Sequence, residues 1–153
     1  MNVTGIFHVN VNCSNYARSL EFYEMLGYQV LWEVPEKGSP EVSAAVGMPP
    51  YTVRGALLAL KGAPGAPLID LLEWRDPNDP TPPYPHLYHL GIARICLVST
   101  DLDADVETLR AHGVALISQP VRLSPPGANS SRFVCFKDPD GTTLELVQFE
   151  QSV

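Results

Sequence analysis

Along Ile6–Cys13 apolar and polar side chains alternate, and His8, Asn10 and Asn12 share one parity. Residues two apart in an extended strand point to the same face, so these three should look into one space. A histidine titrates near neutral pH and can give or take a proton, and two amides beside it can orient a polar substrate. The plainer use of the same residues is a satisfied core histidine and two amides bonded to each other. Arg54 opens a later strand pattern, where it can meet an anion from the rim, although an arginine is by default a solvated surface residue. Cys13, Cys96 and Cys135 are odd in number and contain no close pair. They suit neither a disulfide framework nor a zinc knuckle, and they fit a reducing cytoplasm.

The 153 residues correspond to one ordinary domain or two very small ones, and 45% hydrophobic against 18% charged content allows a real core. No apolar run approaches the roughly 20 residues of a membrane span, and residues 1–20 show no basic stretch followed by an apolar block. Ten Lys and Arg against 17 Asp and Glu give a net charge of −7, the wrong sign for a nucleic-acid binder. A cytoplasmic protein facing small molecules, with no nucleic-acid or membrane partner, is the expectation.

The elements that must position these residues come in two sets. Five of the 15 prolines lie between Trp74 and Leu87, a segment that can neither continue a helix nor donate along a ladder. It reads as a linker over 76–89, between modules at 5–75 and 90–150. In the first, a strand over Ile6–Cys13 leads to N-cap candidates Ser14 and Asn15, then Tyr16, Leu20, Tyr23 and Leu26 at helical spacing, with Gly27 as a stop. In the second, a strand over Ile92–Val98 leads to Thr100 and Asp101, then Leu102, Val106 and Leu109, stopped by Gly113. Ser14 and Thr100, Asn15 and Asp101, Leu20 and Val106, Tyr23 and Leu109, and Gly27 and Gly113 are each 86 residues apart (100 − 14, for example). Five equivalent positions at one offset define a repeat. Three strands follow in each half: Tyr28–Val34, Arg54–Leu60 and Leu68–Trp74, then Val114–Ile117, Ser131–Lys137 and Thr143–Phe149. A tight turn is expected at Asp138-Pro139-Asp140-Gly141. The first half alone carries an insertion over Pro35–Val53, a lid candidate. Each half has too few residues to cover both faces of its sheet alone.

Phe7-His8-Val9, Ser19-Leu20-Glu21-Phe22-Tyr23 with Leu26-Gly27, and Asp138-Pro139-Asp140-Gly141-Thr142-Thr143-Leu144-Glu145-Leu146 resemble the vicinal-oxygen-chelate superfamily. That superfamily includes glyoxalases, bleomycin-resistance proteins and extradiol dioxygenases. The resemblance spans nearly the whole chain and implies an α+β fold of two βαβββ modules forming a half-open barrel, with the active site in the cup, and a homodimer. It also implies a ligand position on the first and last strands of each module. Carried over, these positions are His8 and Asp70 in the first module, and Arg94 and Glu145 in the second. A metal-using relative would have a histidine where Arg94 stands. Arginine offers only donors and stays protonated, so it cannot ligate a cation. His8, Asp70 and Glu145 remain as a possible divalent-metal set, against the expectation of no cofactor. His89 lies an odd number of residues from Arg94, so it should face away.

Two functions follow from the resemblance. One is a proton-shuttling isomerase, epimerase or lyase on a small carbonyl-containing metabolite. His8 and Glu145 would be acid and base, and Arg94 a fixed cation for a developing oxyanion or a carboxylate. The other is a metal-free drug- or metabolite-binding protein of the bleomycin-resistance type, with Trp32, Tyr51 and Trp74 stacking on the ligand. In either, Asn10, Asn12, Arg54, Asp70 and Trp74 would contact the small molecule. The plainer alternatives are that Glu145 is Arg94's counter-ion and that Trp74 and Leu72 are core wall. An extradiol oxygenase lacks its second histidine here.

Overall fold

The computed structural model describes residues 1–150, which divide into two compact units, Met1–Thr81 and a second beginning at Pro82. The division falls inside the proline-rich stretch, in which no strand or helix forms from Pro77 to Arg94.

The first unit runs β1 (His8–Asn12), α1 (Tyr16–Met25), β2 (Tyr28–Glu33), α2 (Pro40–Val46), β3 (Thr52–Leu60) and β4 (Leu68–Asp76). Its sheet has the order β1-β4-β3-β2, with β1 parallel to β4 and the other pairs antiparallel. Asn15 caps α1, its side chain accepting from the Arg18 N–H, and Gly27 ends the turn with φ +94°. The helix buries Tyr16, Ser19 and Tyr23. Across from it the sheet buries Val11, Ala56, Leu58, Ile69 and Leu71. The alternate residues His8, Asn10, Asn12, Asp70, Leu72 and Trp74 therefore occupy the opposite face. Between Val30 and Trp32 the β2–β3 register slips at a bulge.

The second unit runs β5 (Ile95–Val98), α3 (Leu102–Ala111), β6 (Val121–Leu123), β7 (Ser131–Lys137) and β8 (Thr143–Phe149). Its order, β5-β8-β7-β6, repeats the first, again with the outer pair β5 and β8 parallel. Asp101 caps α3 by accepting from the Ala104 N–H, and Gly113 has φ +74°. Leu102, Val106 and Leu109 are buried on the helix, and Val134, Phe136, Leu144 and Leu146 on the sheet. Each unit is thus an α+β βαβββ module. The ladders agree in register as well as order. Asn10 lies opposite Asp70, and Cys96, its counterpart 86 residues on (96 − 10), lies opposite Glu145.

Two expected elements differ. The expected strand over Val114–Ile117 makes only an isolated bridge, Leu116 to Phe136, and the ladder resumes at Val121. Pro120 stands in that gap and supplies no N–H to a ladder. The expected strand over Ile92–Val98 begins three residues late, at Ile95, so Arg94 stands immediately outside it. The insertion over Pro35–Val53 folds around α2, capped by Ser39 and stopped by Gly47. It is tied to β3 by a Lys37–Thr52 bridge and a 2.7 Å bond from the Val53 N–H to the Glu36 carbonyl. No helix among the described residues is long and apolar enough to cross a membrane.

Candidate functional site

In the first unit, the face opposite α1 gathers most of the expected polar residues. Asn10 and Asn12 bond not to each other but to β4: the Asn10 amide donates to the Asp70 carbonyl at 3.0 Å and to Asp70 Oδ2 at 3.4 Å. Asn12 Oδ1 accepts from the Trp74 indole N–H at 2.8 Å. Trp74 is further fixed by the Tyr51 ring, edge-on at 5.1 Å between centroids. Tyr51 comes from the insertion, where a Cβ on Gly38 would run into its ring. His8 is exposed at the start of β1 and meets Phe7 edge-on at 5.4 Å.

Asp70 is the unsettled member of this face. Its Oδ1 is buried without a hydrogen-bond partner among the described residues. Burial pushes its pKa above the ordinary 3.8, with the positive charge of His8 and the Asn10 amide pulling the other way. A buried polar atom left unbonded costs about 1–3 kcal/mol, and this one would be relieved by a donor from a ligand or by a proton.

Arg54 does not join this face. It pairs with Glu73 in the β3–β4 ladder, one step out of phase with Asp70, and its guanidinium lies 4.8 Å over the ring of Tyr16. The Tyr16 backbone N–H donates to Glu73 at 2.9 Å, and its hydroxyl to Glu33 at 3.4 Å. Arg54 is therefore an exposed residue on the helical side of the sheet, away from the face of Asp70. Desolvation and the Glu33 carboxylate push the Tyr16 hydroxyl up to about 12, so it stays protonated there.

In the second unit the corresponding face is built around Glu145, buried in the middle of its sheet. Its Oε2 lies 2.7 Å from Arg94 Nε. Its Oε1 accepts from the Cys96 thiol at 3.1 Å, and Oε2 also from the Cys135 thiol at 3.6 Å. Desolvation, reinforced by bonding to Glu145, pushes Cys96 up to about 12, and burial with the Glu145 charge raises Cys135. Both are thiols rather than nucleophilic thiolates at working pH. Cys96 thus serves as a hydrogen-bond donor to the carboxylate. Cys135 was not among the expected site residues. Counting back across the Asp138–Gly141 turn, where Lys137 pairs with Thr143, places it opposite Glu145.

The donor set around Glu145 is ill suited to a divalent metal. Both Glu145 oxygens are already engaged, one by a permanent cation that has no lone pair to offer. Among the described residues no three His, Cys, Asp or Glu side chains gather as a metal cluster. Glu145 as placed does not fit a metal-ligand role. His89 stacks on Tyr84 at 5.2 Å and supplies no replacement ligand.

The chain belongs to the Glyoxalase/Bleomycin resistance protein/Dioxygenase superfamily, whose model matches residues 5–146. Among solved structures it is similar to a glyoxalase family protein from Bacillus cereus, at TM-score 0.84 and 18% identity over 99% of this chain and 97% of that one. It is also similar to a glyoxalase family protein from Enterococcus faecalis, at TM-score 0.67 and 26% identity, covering 96% and 99%. A third likeness is to TnmS3, an antibiotic-binding protein from a Streptomyces species, at TM-score 0.63 and 25% identity over 98% and 99%. No curated protein matches the chain.

Proposed function

We propose that this chain is a metal-independent, small-molecule-binding member of its superfamily. The observation that carries the reading is the saturation of Glu145 by Arg94 and two thiols, which makes the carboxylate an anchored counter-ion rather than a metal ligand or a free base. The exposed aromatic Trp32 and the fixed Trp74 supply stacking surface in the first unit. The likeness to an antibiotic-binding protein supports the same reading. The test is a thermal-shift screen of metabolites and drugs, run with and without chelator, with the ligand recovered afterwards. A stabilising compound should bind stoichiometrically, ignore the chelator and return chemically unchanged. Stabilisation that disappears with chelator would sink the reading.

A second reading rests on Asp70. A half-buried carboxyl with one buried, unbonded oxygen and a raised pKa, with the charge of His8 close enough to act on it, is equipped for proton transfer. In that case the protein is an isomerase, epimerase or lyase on a small carbonyl compound, with Asp70 rather than Glu145 as the acid–base group. Deuterium wash-in beside the carbonyl of a bound compound, lost in Asp70→Asn, would establish it. A cytoplasmic homodimer is part of the proposal, and light scattering on the purified chain reads its oligomeric state.

A further inference from the structure

We infer that the open face of the second sheet takes a molecule made of a carboxylate on an apolar body, with the carboxylate held by Arg94. The inference rests on the ligand-binding reading and names the chemical class for one part of that site.

Arg94 supplies the first half of the argument. A guanidinium carries five N–H donors in a planar fork. Glu145 meets only its Nε, at 2.7 Å, and no other partner of the guanidinium is found among the described residues. The side chain is 45% exposed while that of Glu145 is 10% exposed. The cation is thus steered from its inner edge, and the two terminal amino groups remain open. That edge matches a carboxylate with two parallel bonds. The thiols of Cys96 and Cys135 donate to Glu145 and share the task of balancing its charge, so Arg94 is not left as its sole partner.

The rest of the face supplies the second half. By register and parity, Arg94, Cys96 and Val98 point the same way as Glu145, Val147 and Phe149. Beyond the Arg94–Glu145 pair the charged residue on this face of β5, β7 and β8 is the exposed Lys137, which pairs with Thr143 at the same end of the sheet as Arg94. Val98 is 69% exposed and Phe149 57% exposed, with Val121 and Leu123 exposed along β6 on the same side. Arg94 to Val98 is a run of about 13 Å at the rise of a strand. An apolar strip that ends in the open guanidinium of Arg94, with Lys137 at the same end, fits an amphiphile bearing a carboxylate; an ammonium ligand would gain nothing from either cation.

The experiment is calorimetric titration of the full chain with octanoate, octanol and octylamine, which share a body and differ in the head. Octanoate should bind at least about tenfold more tightly than octanol, equal to about 1.4 kcal/mol, and octylamine more weakly still. Arg94→Gln should bring octanoate to the level of octanol, and Arg94→Lys, which keeps charge without the fork, should fall between. Phe149→Ser should weaken octanoate and octanol together. Circular dichroism on each variant separates loss of binding from loss of fold. Octanol or octylamine binding as tightly as octanoate would overturn the carboxylate assignment and leave the ligand-binding reading standing. Arg94→Gln with native octanoate affinity would overturn it too. If none of the three binds, the inference falls, and the screen with chelator decides the broader reading separately.

Discussion

Cys96 lies directly opposite Glu145 across the parallel β5–β8 pair, and its thiol donates to the carboxylate at 3.1 Å. The residue is exposed, yet desolvation and the neighbouring negative charge hold its pKa up to about 12. Exposure and reactivity are thereby uncoupled. At pH 8 Cys96 should react with iodoacetamide at least about tenfold more slowly than a free thiol, because the thiolate is the nucleophile. Glu145→Gln removes the charge and should speed the reaction. Mass-spectrometric rates for the Cys96 peptide measure both, and a native rate equal to that of a free thiol would contradict the arrangement.

Asp70 predicts the pH dependence of stability. Its pKa is raised on folding by burial, so its ionisation works against the fold. Its favourable contribution is full below the ordinary 3.8 and is lost as pH rises through the folded value. Asp70→Asn should therefore have a higher Tm than the native chain at pH 7, by a few degrees, about what 1 kcal/mol gives in a domain of this size. The gap should close as the pH falls below about 4. Melting curves across that range decide it, and a gap that widens in acid would be the opposite sign.

Arg94 predicts metal behaviour. With both oxygens of Glu145 engaged, titration of the native chain with Mn²⁺, Ni²⁺ or Zn²⁺ should give no binding heat. Arg94→His replaces a donor by a lone pair next to that carboxylate and should gain affinity for Zn²⁺ or Ni²⁺ by at least about tenfold. Native stoichiometric binding, lost in Glu145→Gln, would show that the pair opens for a metal.

Core truncation gives a control on the fold. Leu71 is fully buried at the centre of β4, facing the helical side. Leu71→Ala should cost about 2–5 kcal/mol, read from urea unfolding. Tyr51→Ala should instead leave the core intact and loosen Trp74, which it meets at 5.1 Å. The expected readout is a change in indole fluorescence with a small change in stability.

The repeat was the most legible feature in the sequence because it depends on spacing alone. Asn15 and Asp101 cap their helices and Gly27 and Gly113 close them, as the offset requires. The hairpin around Asp138–Gly141 was equally readable, since a turn fixes the register of its own strands. The face of Arg54 was not legible because it depends on pairing with β4 across a seven-residue loop, from Lys61 to Pro67, whose register spacing does not set. The displaced strand at Val121 turned on one residue, Pro120, whose missing N–H outweighed the apolar run before it. Arg94 was singled out by the resemblance, but its bond to Glu145 could be offered only as one of two uses. The pair itself, at 2.7 Å, is seen only in the folded chain.

The bulge between Val30 and Trp32 has a consequence for solubility. β2 forms one edge of the first sheet and exposes Val30, Leu31 and Trp32 in a row, the composition of a strand that recruits further strands. A flat edge of this kind is a template for endless stacking, whereas an extra residue twists the strand and puts its free N–H and carbonyl groups out of step with any straight partner. The slip at Leu31 should thus disfavour the addition of a straight strand along this apolar rim.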